Sequence, residues 1–190
     1  MHEITYNQII LLLAGLLITG LVFIFIFMRL KKGAFRRKVK RVIKKISCDY
    51  ISDIPLDMGE DQYAYFDYIL LYRQGIMALE IRDYAGHIYA SDKINEWTQV
   101  INRKSYKFKN PFFSLERKID LFKEIIPDQP ITAVIIFTDQ ADFPKGRPEN
   151  VFLINELYKH YGKANANDAP AAIMANWNQL KKYLLKKGND

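Results

Sequence analysis

Asp67, Glu80 and Arg82 are the residues of this chain whose types and spacing suit chemistry. They lie in F-D-Y-I-L-L-Y-R-Q-G-I-M-A-L-E-I-R-D-Y-A-G, residues 66 to 86, where two apolar, aromatic-rich runs flank Arg73-Gln74-Gly75. That layout predicts a β-hairpin, with Gly75 supplying the positive φ of its turn. Side chains alternate along a strand, so Ile76, Ala78, Glu80 and Arg82 share one face, and Met77, Leu79 and Ile81 share the other. A two-residue turn at Gln74-Gly75 pairs Arg73 with Ile76, Ile69 with Glu80, and Asp67 with Arg82. The three charged residues then form one cluster on an apolar hairpin. Buried charge is costly unless it is paired or binds a metal. The cluster therefore needs a reason, and the simplest is a cross-strand Asp67–Arg82 ion pair.

The elements that must position this hairpin follow from local pattern. Tyr50 to Ile54 reads as a short strand, Gly59 with Glu60-Asp61 as a turn, and Tyr63 to Tyr72 and Ile76 to Arg82 as the hairpin strands. His87 to Ala90 is expected to extend the same sheet, while Trp97 and Tyr106 to Phe108 belong to an extended aromatic segment of unassigned place. Pro111 suits the first turn of a helix that keeps Phe112, Leu115, Ile119, Phe122 and Ile126 inward and stops at Pro127. The β-branched run Ile131 to Phe137 has the composition of a buried central strand. A loop with Pro144, Gly146 and Pro148 leads to a strand at Val151 to Ile154. Asp168 and Pro170 start a last helix, with Ile173, Trp177, Leu180 and Leu184 on one face and Gly188 beyond it.

An Asp late in one strand followed by Glu-x-Lys on the next is the metal-binding core of the PD-(D/E)xK nucleases. The chain resembles, within that superfamily, the nuclease-related domain (NERD) family. The matching residues are Asp67, then Gly75-Ile76-Met77-Ala78-Leu79-Glu80-Ile81-Arg82, Gly86, Trp97, and Asn110-Pro111-Phe112-Phe113-Ser114. The resemblance covers about residues 33 to 138. It implies an α/β, restriction-endonuclease-like core, α-β-β-β-α-β around a mixed sheet, with Asp67, Glu80 and Arg82 catalytic, and Asp67 and Glu80 holding Mg²⁺ or Mn²⁺ if the site is active. Three polar positions depart from the family pattern. Arg82 stands for its lysine, Arg37 for the Glu of its first helix, and Ser114 for the Gln of its Asn-Pro-x-x-Gln element. Arginine is a poor proton acceptor, since its pKa exceeds about 12. The altered site implies a catalytically degenerate nucleic-acid-processing fold; the alternative from another class is a non-enzymatic membrane scaffold that binds a protein.

Charge and hydropathy place the domain. Ile9 to Met28 is an uncharged run of 20 residues, enough to span a bilayer as a helix. Ten of the 28 basic residues follow it between Arg29 and Lys45, and none precedes it. The eight residues before the span lack the basic start of a secretory signal, and no small-residue cleavage site follows. By the positive-inside rule the N-terminus lies outside and the C-terminal part in the cytoplasm, at the inner (plasma) membrane. The implied organisation is a short extracytoplasmic segment at 1–8, a transmembrane helix at 9–30, a basic juxtamembrane helix at 31–47 and the nuclease-related cytoplasmic domain at 48–190. The basic helix buries Phe35, Val39, Val42, Ile43 and Ile46 and attracts anionic lipid along residues 29–45.

Beyond residue 45 the chain keeps 18 basic against 20 acidic residues, so it carries no general basic surface for nucleic acid. The lone Cys48 fits a reducing compartment. His2, His87 and His160 have no zinc-ligand spacing, and neither a G-x-x-x-x-G-K-[ST] loop nor a G-x-S-x-G elbow occurs.

Overall fold

The computed structural model describes residues 6–57 and 63–187, so the expected turn at Gly59 to Asp61 and the helix stop at Gly188 lie outside the described residues. The chain divides into two compact units, residues 1–40 and 41–190. In the first, helix α1 (Tyr6–Ile46) begins with the 18-residue apolar stretch Ile10–Phe27, which has mean hydropathy 3.0 and none of its side chains buried. One helix thus runs without a break through residues expected to form two. The second unit holds the last turns of α1, with Ile43 and Ile46 buried, and the rest of the fold.

That fold is α/β and is built on a five-stranded mixed sheet. Strands β1 (Asp49–Asp57), β2 (Tyr63–Tyr72) and β3 (Gly75–Arg82) form an antiparallel meander. Strand β3 then pairs in parallel with β7 (Ile131–Phe137), and β7 with β9 (Val151–Leu153). β3 and β7 are therefore central and buried on both faces, which is why I-M-A-L and V-I-I-F read as continuous apolar runs. One face carries the main core: Ile69, Leu71, Ile76, Ala78 and Ile135 pack with Leu115, Phe122, Trp177 and Leu180. The α-β-β-β-α-β core is present.

Between β3 and helix α2 (Pro111–Asp120) the chain inserts three strands of a second sheet, whose fourth strand follows β7. Strands β4 (Gly86–Tyr89), β5 (Glu96–Ile101), β6 (Lys104–Lys109) and β8 (Ala141–Asp142) lie in the order β6-β5-β4-β8. The segment at 87–90 thus belongs to this sheet instead of extending the first, and the unassigned aromatic segment is the β5–β6 hairpin. Asn102 and Arg103, both at positive φ, make its two-residue turn, the twist that a tight hairpin needs. Phe108 and Trp97 face inward, against Tyr84 and Phe137.

Asn110 fixes where α2 starts. Its side chain accepts from the Phe112 N–H at 3.0 Å while its amide donates to the Ile94 carbonyl at 3.0 Å, and Pro111 follows at the first helical position. The helix ends at Asp120, seven residues before Pro127, and the chain continues in turns that still bury Phe122 and Ile126. A short helix α3 (Leu157–Tyr161) that the periodicity did not signal precedes α4 (Ala171–Lys187). Asp49 ties α4 to β1 by accepting from Trp177 (2.9 Å) and Lys181 (2.6 Å). Burial alone would raise its carboxyl; the two donors outweigh that and hold it below the usual range.

Candidate active site

The hairpin turn decides which residues meet. Tyr72 pairs with Gly75 and Leu71 with Ile76, so the two-residue turn is Arg73-Gln74, and Gly75 is a strand residue without positive φ. The register is displaced by two from the expected one. Because side chains repeat every two residues, every face assignment survives while every cross-strand partner changes. Ile69 lies opposite Ala78 and Tyr68 opposite Leu79, and the same register puts Asp67, not Ile69, across from Glu80.

At Asp67 strand β2 leaves β3. The β2–β3 ladder ends at Tyr68–Leu79, while β2 stays paired with β1 out to Asp57–Tyr63. Alternation slips here too, because Phe66 and Ile69 bury in the same core although they are three residues apart. Asp53, at φ 54°, sits between the β1–β2 pairs Ser52–Tyr68 and Ile54–Phe66. The opening exposes a β3 backbone donor, and the Asp67 side chain satisfies it: Oδ2 accepts from the Ile81 N–H at 2.7 Å. Burial pushes the Asp67 carboxyl above its ordinary value, and the neighbouring Glu80 charge adds to the rise against the pull of that N–H.

Glu80 is 6% exposed at the C-terminal end of a central strand. Its Oε1 accepts from Arg82 Nη2 at 2.7 Å and from Lys118 Nζ at 3.3 Å. Its Oε2 is buried without a hydrogen-bond partner among the described residues. Leaving a charged acceptor so costs about 1–3 kcal/mol or more. The structure thus brings Asp67, Glu80 and Arg82 together, as expected, but replaces the expected Asp67–Arg82 ion pair by Arg82–Glu80. Arg82 and Glu80 are two apart on one strand and share a face, so the guanidinium folds back on its own strand and does not cross to β2.

Lys118 was missed by sequence reasoning, although a signal was available. It lies three residues after Leu115 and four before Phe122, on the inward stripe of α2, where a lysine is out of place. It is 8% exposed, donates to the Tyr65 carbonyl at 2.9 Å, and lies 5.5 Å from the centre of the Phe66 ring. Ser114, at the position of the family's glutamine, is exposed one turn earlier. Arg37, at the position of the family's first-helix Glu, is in the first unit.

The residues present fit a divalent cation. Among the described residues no group of three or more His, Cys, Asp and Glu converges. Mg²⁺ needs fewer, because it keeps several waters and binds through one or two carboxylates with a substrate phosphate. Asp67 and Glu80 supply those two, with one buried oxygen unpartnered and one carboxyl held toward its protonated form by burial and mutual repulsion. A cation between them would relieve both.

Comparison with known proteins bears on this arrangement. An uncharacterized protein of Bacillus anthracis is 26% identical over 137 residues, which cover 68% of this chain and 65% of that protein. The match therefore spans just under two thirds of the length of that relative. No solved structure matches the chain. The sequence pattern described as the nuclease-related domain matches residues 31–138, which include the whole meander, the inserted β4–β6 strands, α2 and Asp67, Glu80, Arg82 and Lys118. The chain belongs to the nuclease-related domain (NERD) family.

Proposed function

We propose that the chain is a membrane-tethered nuclease that hydrolyses phosphodiester bonds with Mg²⁺ or Mn²⁺ held by Asp67 and Glu80. One observation carries this reading. The buried Glu80 oxygen has no partner among the described residues and stands near a second, half-buried carboxylate, Asp67, that repels it. A charge pair kept only for stability gains nothing from a buried oxygen left bare, because the desolvation of that oxygen is uncompensated. The bound ion would polarise the phosphate and lower the pKa of an attacking water. Arg82, with its side chain 25% exposed, has N–H groups beyond the one on Glu80 with which to hold a phosphate oxygen. Lys118 supplies this site with the lysine that strand β3 lacks, so the Arg82 departure no longer by itself argues for a degenerate fold.

In this reading Ile10–Phe27 crosses the inner membrane with the nuclease domain on the cytoplasmic side. The basic residues between 29 and 45 then lie at the headgroups, where each contributes about 1 kcal/mol of attraction to anionic lipid. Nucleic acid is the substrate partner.

The full chain in detergent micelles, assayed on DNA and RNA with Mg²⁺ or Mn²⁺, is expected to cut in a chelator-sensitive way. Glu80→Gln should reduce cleavage by about 100-fold or more. Binding of nucleic acid without cleavage under any of these ions would favour the degenerate reading. Neither binding nor cleavage would favour a protein-binding scaffold.

A further inference from the structure

Glu80 presents its two oxygens to different surroundings: Oε1 takes both cations, and Oε2 takes none among the described residues. Two cations converge on Oε1: Arg82 at 2.7 Å from the same strand, and Lys118 at 3.3 Å from helix α2. Their side chains are 25% and 10% exposed, so Lys118 is the more buried of the two. It is also held independently of Glu80, by the Tyr65 carbonyl at 2.9 Å. Tyr65 lies on the part of β2 that has parted from β3, two residues beyond Asp67, so the ammonium joins three elements across the opening: α2, β2 and β3. A long flexible side chain fixed at both ends in this way sets the rotation of the carboxylate it holds.

We infer that Lys118 is the positioning residue of Glu80: it anchors Oε1 so that Oε2 stays free for the divalent cation. The inference rests on the reading of Asp67 and Glu80 as cation ligands, and it assigns to a helix residue a task that the strand motif does not contain. It also makes a prediction opposite in sign to simple electrostatics. An ammonium beside a cation site repels a second cation, so if Lys118 contributed charge alone, its removal would tighten metal binding. If it holds Glu80, removal loosens binding, because partners that orient a ligand typically account for 10–100-fold in metal affinity.

Mn²⁺ binding to the full chain in detergent micelles, measured by isothermal titration and by the paramagnetic resonance of free Mn²⁺, separates these cases. The wild-type protein is expected to bind Mn²⁺ at a site that Glu80→Gln abolishes, and Lys118→Met is expected to weaken that site about tenfold or more. Weakening by less than tenfold, or tighter binding, overturns the inference while leaving the metal reading in place. If the wild type binds no Mn²⁺, or its binding survives Glu80→Gln, the metal reading itself fails and the inference falls with it. Tryptophan fluorescence of the buried Trp97 and Trp177 reports whether the variant is folded. Should Lys118→Met fail to fold, Lys118→Gln, which removes the charge and shortens the arm but keeps a polar group, is read against the same threshold.

Discussion

Asp67 is where the two readings of the cluster differ most in what they demand of one side chain. A stabilising ion pair with Arg82 would hold the carboxyl below its usual value; burial and the Glu80 charge instead raise it. A carboxyl raised on folding adds stability that is fully present below its unfolded value, near 3.8, and is lost as pH rises through the higher folded value. At neutral pH in chelator that contribution is gone. Asp67→Asn keeps an oxygen for the Ile81 N–H and removes the repulsion. Its urea midpoint at pH 7 is expected to equal or exceed that of the wild type, with the difference closing as pH falls through the folded Asp67 value. A clear drop in the midpoint at pH 7 would restore Asp67 to a stabilising ion pair. The face on which Asp67, Glu80 and Arg82 lie was readable from alternation alone. Their contacts were not, because a register shift of two leaves alternation unchanged. Lys118 was readable in principle from helical spacing, but its partner 38 residues earlier was not.

At the scale of elements, the second sheet closes on itself at a position that admits only glycine. Gly86 has φ 86°, and a Cβ there would stand 2.5 Å from the Val100 carbonyl oxygen of the neighbouring β5 strand. Its own N–H donates to the Gln140 carbonyl at 2.9 Å, which joins β4 to the segment leading into β8. Both the backbone conformation and the close approach of a strand exclude a side chain. Gly86→Ala is therefore expected to cost about 1–3 kcal/mol from the backbone conformation alone, with the clash added. Gly75→Ala should be tolerated far better, since its Cβ would meet only ordinary contacts with Tyr72 and Gln129. Urea titrations of both variants followed by tryptophan fluorescence check the contrast. Equal losses would mean that the β4–β5 approach is looser than described. The glycine of the family pattern is thus a packing requirement, and so is its Asn-Pro: Asn110 caps α2 and fastens it to the loop before β5, which sets the helix that carries Lys118.

For the whole molecule, the testable quantity is orientation. Ten basic residues follow the apolar stretch, so a reporter active only outside the cytoplasm, fused after Asp190, is expected to stay silent. A cytoplasmic reporter at the same place should be active. Replacing the basic residues from Arg29 to Lys45 with neutral ones should mix the two orientations without preventing insertion, because hydropathy drives insertion and charge only selects its direction. Strong signal from the export-dependent reporter on the unmodified chain would reverse the assignment and remove the domain from cytoplasmic nucleic acid.

By itself the sequence determined what depends on neighbours along the chain. Continuous apolar length marks the candidate span, β-branched runs mark the central strands, and period-two alternation gathers two carboxylates and an arginine on one face. Asn110-Pro111 marks a helix start because capping needs only the next two residues. Tertiary structure decided what depends on distance across the chain. It chose between two hairpin registers with the same alternation, because buried cross-strand partners, not the pattern, distinguish them. It closed β4 to β6 and β8 into a separate sheet, since strand partners are selected by packing against Trp97 and Phe137. It also carried Lys118 from a helix to Glu80, where a buried charge is stable only against an opposite charge that no local pattern could have located.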